Sequence, residues 1–408
     1  MVAEWLADHD PKRSCASGMS RHPDPAVAVA EAVGWVLEDL EHRPTIAIVF
    51  VSGRMAAAFE PIITAANTLL SPSILLGVTS SGVLAGGEEA ESGDAIAIWA
   101  GTIDGVRSFH LDTVPGHEPR VVGLPPDLAD GSTLLVLADP FSLPVEALID
   151  QMKSQCPLVA LAGGLASLGP GRNRLAASRP SASAGLLEFR SEGAVGVVFP
   201  PGSVVPVVSQ GCRPIGQPWT VTAADGQVIG ELGGRPALDR VNEMIADLDA
   251  RDRLCASQGL HLGLVANPRA TEFDRGDFLI RSVLGADRET GDVVVGVTVH
   301  PGDAIQFQVR DAASAHDDLA ALLSSVVDVP PMGALIFTCT GRGSHLFAEP
   351  SHDAALVSEF TDGRGVAGMF CAGELGPVGR GENAARVNVL HAFTATVLLF
   401  PATVQASS

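Results

Sequence analysis

The sequence predicts an α/β fold of two interlocked halves, with mixed sheets built from duplicated strand-helix-strand units and helices on the outer faces. Three observations support this prediction. With 408 residues, the chain is longer than one ordinary hydrophobic core can organise. Its apolar runs do not alternate with polar residues, which is typical of strands covered on both faces. A strand, a helix, a strand, a loop and another strand follow one another three times, which indicates internal duplication.

Each element of the three repeats has its own sequence signal. The strands are short apolar runs, and the helices link the first strand of a repeat to the second. We predict strands over 45–52, 74–79, 94–100, 133–138, 158–162, 194–199, 334–339, 366–371 and 391–400, and helices over 56–70, 144–154 and 353–360. The third strand of each repeat is expected to run antiparallel, so that two sheets could pack face to face.

Turn and cap signals define the segments around the repeats. Asp24 and Pro25 mark the start of a helix that follows a short first strand over 14–20. Between 200 and 330 the sequence pattern differs from that of the repeats. In this region, strands over 292–299 and 304–310 are predicted to pair as a hairpin across a turn at His300. Asp311 is expected to cap the next helix. The predicted organisation is a disordered segment over 1–13, one domain over 14–205 and a second over 206–402.

Composition excludes several classes of function. The formal net charge of −21 disfavours nucleic-acid binding, because a phosphate backbone would be repelled. No apolar run is long enough to span a membrane, and the first residues lack the apolar core of a signal peptide. The six cysteines form no short-spaced pair, which is typical of free thiols in a reducing compartment. We therefore expect a cytoplasmic protein without a metal or cofactor.

Small residues follow the buried strands of the repeats, and these corners are candidate ligand sites. They include Ser80-Ser81-Gly82, Cys339-Thr340-Gly341-Arg342 and Cys371-Ala372-Gly373-Glu374. Ligands of α/β proteins bind where strands end, and glycine lets a ligand approach the backbone closely. A purely structural role, in which the glycines only permit the turns, is the alternative.

The last two corners carry opposite charges. If they end neighbouring strands, Arg342 and Glu374 flank one cleft with Cys339 and Cys371 beneath them. Such a pair could clamp a zwitterion, with the guanidinium on its carboxylate and the carboxylate on its ammonium group. The alternative is that Arg342 and Glu374 simply pair with each other.

Other interpretations of these residues stay open. Cys371, His391 and Glu374 are a candidate nucleophilic triad, and either cysteine could be a redox-responsive thiol if Arg342 depresses its pKa. Zinc binding by Cys339, Cys371 and His391 matches no short ligand motif.

Several charged residues outside the corners have candidate roles of their own. Arg310 could contact the following helix or reach a ligand. Arg281, in mid-strand, requires a partner. The acidic turn with Glu88, Glu89 and Glu91 is interpreted as a solvated loop.

The residues also resemble a known family. The stretches Ser17-Gly-Met-Ser-Arg-His-Pro-Asp-Pro, Leu76-Gly-Val-Thr-Ser-Ser-Gly-Val and Gly86-Gly-Glu-Glu-Ala-Glu resemble the FIST N domain. Phe278-Leu-Ile-Arg-Ser-Val-Leu-Gly, Phe337-Thr-Cys-Thr-Gly-Arg-Gly and Phe370-Cys-Ala-Gly-Glu-Leu-Gly-Pro-Val resemble FIST C. The resemblance covers about 14–400 and implies a sensory domain for small ligands such as amino acids. It transfers no catalytic residue.

The sequence thus predicts a stand-alone protein that binds a small polar metabolite and either acts alone or signals through a separate partner. The alternatives are a cysteine-dependent enzyme or redox-sensing thiol protein, and a protein–protein adaptor. The predicted ligand-binding residues are Arg342, Glu374, Cys339, Gly341, Cys371, Gly373, Arg310, His391, Ser80 and Ser81.

Overall fold

The structure, a computed structural model, describes residues 14–117, 119–179, 186–266, 273, 275–326, 330–378 and 387–402. The predicted disordered segment over 1–13 lies outside these residues. The fold class is confirmed: three mixed sheets with outer helices, and a further set of antiparallel strands, make up the described chain.

Two of the mixed sheets are formed mainly by the first half of the chain. The first contains, in spatial order, β1 (Cys15–Ser20), β6 (Ala95–Gly101), β2 (Ile46–Ser52), β3 (Ile74–Ser80), β11 (Leu175–Ser178) and β12 (Leu187–Arg190). The second contains β26 (Val387–His391), β25 (Glu374–Val378), β10 (Ala160–Leu165), β9 (Thr133–Ala138), β13 (Ala194–Phe199), β7 (Arg107–Val114) and β8 (Arg120–Val122).

The second half forms most of the other two strand assemblies. The third sheet contains β14 (Val205–Gln210), β27 (Thr394–Phe400), β23 (Gly333–Cys339), β24 (Val366–Cys371), β4 (Val83–Ala85) and β5 (Glu88–Ala90). The fourth contains β15 (Cys212–Pro214), β22 (Ala304–Arg310), β16 (Trp219–Asp225), β17 (Val228–Leu232), β21 (Val293–Val295), β20 (Phe278–Ala286) and β19 (Leu260–Val265), with β18 (Arg235–Pro236) beside β17.

Seven α-helices lie in the described part of the chain. They are α1 (Pro25–Asp39), α2 (Phe59–Leu70), α3 (Val145–Gln155), α4 (Ala237–Asp247), α5 (Ala250–Gln258), α6 (Ala312–Val326) and α7 (His352–Phe360). Asp24 accepts a hydrogen bond from the Ala26 N–H, which confirms the predicted cap of α1.

The three predicted repeats are confirmed as three equivalent units. Unit 1 is β2-α2-β3 with β6, unit 2 is β9-α3-β10 with β13, and unit 3 is β23-α7-β24 with β27. In each unit the first two strands are parallel, and the third runs antiparallel to the first. A short helix is therefore the crossover connection that a parallel strand pair requires.

The units exchange strands in a closed cycle. The pair β4–β5, which lies between β3 and β6 of unit 1 in the chain, joins the sheet of unit 3 beside β24. The pair β25–β26, which lies between β24 and β27 of unit 3 in the chain, joins the sheet of unit 2 beside β10. The pair β11–β12, which follows β10, joins unit 1 beside β3. This exchange is the physical basis of the predicted interlocking, because each half of the chain completes a sheet of the other.

The inner faces of the three sheets share one core. The Trp99 ring of unit 1 stacks on Phe400 of unit 3 at 4.6 Å, and Phe199 of unit 2 meets Phe400 edge-on at 5.5 Å. The Phe50 ring of unit 1 and the Phe337 ring of unit 3 also meet edge-on, with their ring centroids 6.3 Å apart. The expected arrangement of two sheets face to face is thus replaced by three sheets around a common core, while α1, α2, α3, α6 and α7 pack on the outer faces.

Six strands that lie between units 2 and 3 in the chain close into a ring, because β22 also pairs with β19. They are β16, β17, β19, β20, β21 and β22. We call this region the barrel. The hairpin predicted across His300 is wrong: β21 pairs with β17 and β20, whereas β22 pairs with β15, β16 and β19. The Val299 N–H instead donates to the Gly226 carbonyl, so the connection crosses to another strand before β22 begins.

The contact between units 2 and 3 gives a first testable prediction. A Cβ atom at Gly164 in β10 would lie 2.2 Å from the Cys371 Sγ of unit 3. We expect Gly164→Ala to lower the free energy of unfolding by about 1–3 kcal/mol in a denaturant titration, because the core cannot absorb the overlap. Gly34→Ala in α1 is the control: nothing lies within 4 Å there, and helix propensity should raise stability by up to about 1 kcal/mol. Equal effects of the two substitutions would contradict the packing argument.

Candidate functional site

The structure brings the two charged corners of unit 3 together. Parallel strands β23 and β24 end side by side at Cys339 and Cys371, and the Thr340 N–H donates to the Cys371 carbonyl at 3.0 Å. The chain reverses after Cys371 and begins β25 at Glu374. The Arg342 and Glu374 side chains are both completely buried and close enough for their charges to interact. We call these two adjoining turns, 339–342 and 371–374, the corner of unit 3.

Arg342 pairs with a residue that the sequence analysis had not selected. Its Nε and Nη2 donate to the Asp353 carboxylate at 2.7 and 2.8 Å, in a two-pronged ion pair from the corner to α7. Thr338 adds a third hydrogen bond to Asp353 at 2.7 Å. Burial raises the pKa of Asp353, but Arg342 outweighs it and holds that pKa well below its usual range. Arg342 Nη1 has no hydrogen-bond partner among the described residues.

Glu374 is held by the strand that follows it. Its Oε2 accepts from the Thr394 hydroxyl at 2.7 Å and from the Thr394 N–H at 3.2 Å. Burial raises the pKa of Glu374 to about 8, so the carboxyl is mostly protonated at neutral pH. Its Oε1 is buried and unpartnered within the part of the chain that the structure describes.

The two thiols lie beside Glu374 rather than in a positive environment. Burial first, and then the charge of Glu374, raises the pKa of Cys339 to about 12, and the same causes raise the pKa of Cys371 well above its usual value. The depressed pKa expected from Arg342 is therefore wrong, because Asp353 already neutralises that guanidinium. Both shifts run opposite to the depressed pKa that an activated nucleophile or a redox sensor needs.

His391 lies across from Glu374 in the β25–β26 ladder and is also buried. Burial lowers the pKa of His391 to about 4, so the ring is neutral at pH 7. Arg281, predicted to need a partner, donates to the backbone carbonyls of Ile280 and Leu390 at 2.9 Å each. The described residues contain no group of three or more His, Cys, Asp or Glu side chains placed to hold a metal ion.

The predicted serines reach the same region from unit 1. Ser80 Oγ donates to the Gly82 carbonyl at 2.7 Å, and Ser81 Oγ lies 3.1 Å from Ser167 Oγ of unit 2. Ser167 in turn donates to the Phe370 carbonyl, one residue before Cys371. The strand ends of all three units therefore meet at one place.

The acidic turn is not the solvated loop that was predicted. Glu89 is buried, and its Oε1 accepts from the Ala354 N–H at the start of α7 at 3.0 Å. Burial and then the charge of Asp353 raise the pKa of Glu89 to about 7. Glu91 accepts from the Ser344 N–H and hydroxyl, next to the Arg342 corner. The exchanged pair β4–β5 thus supports the corner of unit 3.

A cavity of about 510 Å³ opens between the barrel and the corner of unit 3. We call it the seam cavity. Its lining includes Arg251, Cys255, Gly259, Arg310, Asp311 and His345. Arg310 comes from the barrel strand β22 and donates to the carbonyls of Gly341 and His345, so this side chain crosses from the barrel to the corner.

The positive groups of the seam cavity outnumber the negative ones. Among the described residues that line the cavity, Asp311 is the acidic one. Its carboxylate forms ion pairs with Arg213 and Arg251. Asp311 also accepts from the Ser314 N–H at 3.1 Å, which confirms that it caps α6. Burial raises the pKa of Asp311, but these hydrogen bonds and charges lower it overall. Arg310 and the first turn of α6 then leave the cavity favourable for an anionic group.

A strained aromatic residue lies between the seam cavity and the buried corner. Phe393 adopts φ +63°, a left-handed conformation that is costly for a bulky side chain. Its ring packs edge-on against His261 at 4.4 Å and lies 5.8 Å from the Arg310 guanidinium carbon. The next residue, Thr394, holds Glu374. Phe393 therefore connects the Arg310 side of the site to Glu374.

One part of this site follows from sequence patterns, and another depends on the tertiary fold. Gly341 contributes the carbonyl that accepts from Arg310, and Gly373 contributes one that accepts from the Leu165 N–H at 2.9 Å. Arg251 and Gly259 were missed because only the tertiary fold brings the barrel to the corner.

No helix in the described part of the chain is long and apolar enough to cross a membrane.

Comparisons with known proteins agree with this architecture. A family model described as the FIST N domain matches residues 45–235, and one described as the FIST C domain matches residues 237–377. An uncharacterized protein of Mycobacterium tuberculosis is 38% identical over 390 residues, which cover 94% of this chain and 98% of the relative. An uncharacterized protein of Mycobacterium bovis is 36% identical over 388 residues, which cover 94% of this chain and 97% of the relative.

Proposed function

The chain belongs to the FIST family of small-ligand sensory domains, and from this premise we propose that it reversibly binds a small polar metabolite in the seam cavity. A volume of about 510 Å³ is in the range of small-molecule pockets, and a position between two structural regions is where such pockets occur. The observation that carries the proposal is the position of Arg310, which spans the barrel and the corner of unit 3.

The chemistry of the lining favours a ligand with a carboxylate. Arg310 donates through Nη2 to backbone carbonyls, which are weaker acceptors than an anion. Arg251 lies at the same cavity with its side chain 63% exposed, so it can reach a second carboxylate oxygen. An amino acid or a related acid fits this pattern.

Binding at this position provides a route for signalling. A ligand that draws Arg310 away from Gly341 and His345 changes the contact between the barrel and unit 3. Because Arg310 also lies over Phe393, the change reaches Thr394 and Glu374. Direct contact of the ligand with the unpartnered atoms of Arg342 and Glu374 stays a prediction, and it requires Phe393 to move.

The decisive experiment is a thermal-shift screen with amino acids and related carboxylates, followed by calorimetry on the hits. A ligand at 100 times its Kd should stabilise the protein by about 2.7 kcal/mol. We expect Arg310→Ala to abolish that shift and Arg310→Lys to weaken it, because lysine keeps the charge but loses the fork.

Arg364→Ala is the matched control, because Arg364 is a partly exposed arginine outside the seam cavity. It should leave binding unchanged. Ligand binding that survives Arg310→Ala, or a full screen without a hit, would refute a binding site at the seam cavity.

The same proposal includes a location in the cytoplasm and signalling to a separate partner protein. The free state of all six cysteines supports a reducing compartment. The adaptor alternative stays a prediction without a specific observation in its favour.

A further inference from the structure

A pair of histidines joins helices α6 and α7 on the outer face of unit 3. His316 of α6 is exposed, and its Nδ1 lies 3.0 Å from Nε2 of His352, the first residue of α7. Neither residue lines the seam cavity, and the proposed function does not use them.

The second nitrogen of His352 is held by a buried carboxylate. His352 Nδ1 lies 3.0 Å from Asp353 Oδ1, and Asp353 is fixed in turn by Arg342 and Thr338. An acceptor at this position keeps the proton on Nδ1 and leaves a lone pair on Nε2. A carboxylate behind a histidine is the arrangement that orients metal-binding imidazoles and raises their basicity.

The His352 ring is also fixed by packing. The Phe347 ring stacks on it at 3.5 Å with an angle of 8° between the planes. The ring thus has a fixed plane and a fixed tautomer before any ligand arrives, which reduces the cost of ordering a metal site. His316 remains at the surface, so a cation has direct access from solvent.

From this geometry we propose that His316 and His352 bind a divalent transition-metal ion such as Zn²⁺. Two nitrogens at zinc–ligand distances of 2.0–2.1 Å and a tetrahedral angle lie about 3.3 Å apart, so the observed 3.0 Å requires a side-chain rotation that turns both lone pairs toward one ion. His316 then binds in the tautomer that carries its proton on Nε2 and its lone pair on Nδ1. Imidazole nitrogens are suitable ligands for such ions. Water or a small anion completes the coordination, and the ion links α6 to α7 next to Asp353, the residue that neutralises Arg342.

The test uses the full chain without a histidine tag and titrates it with Zn²⁺ by calorimetry and with Co²⁺ by visible absorption. We expect one equivalent of metal with a micromolar Kd and the intense visible bands of Co²⁺ at low coordination number. His316→Ala should weaken binding about tenfold or more and remove the bands. Since His316 is exposed, this variant keeps the fold.

His352→Asn is the second variant, and it should have the same effect on metal binding. His42→Ala is the control, because the His42 side chain is 72% exposed and belongs to a loop outside the pair. It should retain full binding. Metal binding that is equal in His316→Ala and the original chain, or no saturable binding at millimolar Zn²⁺, would overturn the proposal. Neither result bears on the seam cavity.

Discussion

Replacing Asp353 with Asn should lower the free energy of unfolding by about 3–5 kcal/mol, the largest effect that we expect from a single substitution at the site. The Arg342 side chain has 0% exposure, and two of its nitrogens donate to this carboxylate. Without the charge of Asp353, the guanidinium stays buried and loses the counter-ion to which it is hydrogen-bonded. Denaturant titration at neutral pH measures the loss as a lower midpoint at constant slope.

Two further variants separate ion pairing from packing. Asp362→Asn removes a carboxylate that is 62% exposed and lies 3.9 Å from Arg364, so its effect should stay within about 0.5 kcal/mol. Arg342→Met combined with Asp353→Leu removes both charges and should recover much of the lost stability. A double variant that is as unstable as Asp353→Asn would show that shape, and not unpaired charge, dominates.

The direction of the Asp353 shift also predicts an acid limit. Its pKa is lower in the folded than in the unfolded chain, so the pair contributes stability above the unfolded value of about 3.9. That contribution is lost as the pH falls below this value. Asp353→Asn should therefore flatten the acid side of the stability profile.

The units could be predicted from the sequence because their signal is local. Each buried strand is an uninterrupted apolar run, and each crossover helix lies between two such runs, so 334–339 and 366–371 were recognised almost to the residue. The exchange of strand pairs could not be predicted in this way. β4 and β5 have three residues each, and nothing within them indicates that their partner is β24.

The same difference between local signals and long-range contacts decides which parts of the site could be predicted from the sequence. Corners at the ends of parallel strands meet at one edge, so the proximity of Arg342 and Glu374 followed from the repeat alone. The partner of Arg342 did not follow, because Asp353 carries the ordinary signal of an acidic residue at a helix start. Glu89 was misassigned for a related reason: its burial depends on pairing between units and not on its acidic neighbours.

Buried ionisable groups give this protein opposing responses to pH. Burial lowers the pKa of His261 and His391 to about 4, so their neutral forms add stability as the pH rises from 4 to 6.5. Burial raises the pKa of Glu89 to about 7 and that of Glu374 to about 8, and these carboxyls act in the other direction. The pH dependence of the free energy of unfolding therefore sums opposing contributions. Only the difference in this free energy between a variant and the original chain isolates the contribution of one group.

Glu374→Gln should make the protein progressively more stable relative to the original chain as the pH rises. In the unfolded chain a glutamate loses its proton near pH 4.3, whereas Glu374 keeps it until about pH 8, so folding becomes less favourable through that window. Gln cannot ionise and can still accept from Thr394. We expect the stability difference between variant and original chain to grow by about 3 kcal/mol from pH 5 to pH 8, measured by denaturant titration at each pH.

The matched control for this prediction is Glu359→Gln, which changes an exposed glutamate on α7. Its stability difference should stay flat over the same range, because its side chain is exposed to solvent in the folded as in the unfolded chain. Glu89→Gln should show a smaller rise that ends near pH 7. A flat difference for Glu374→Gln would mean that Glu374 is already ionised at pH 5 and that Arg342, rather than burial, sets its charge. The corner of unit 3 would then hold a true ion pair at neutral pH instead of a protonated acid beside a neutralised arginine.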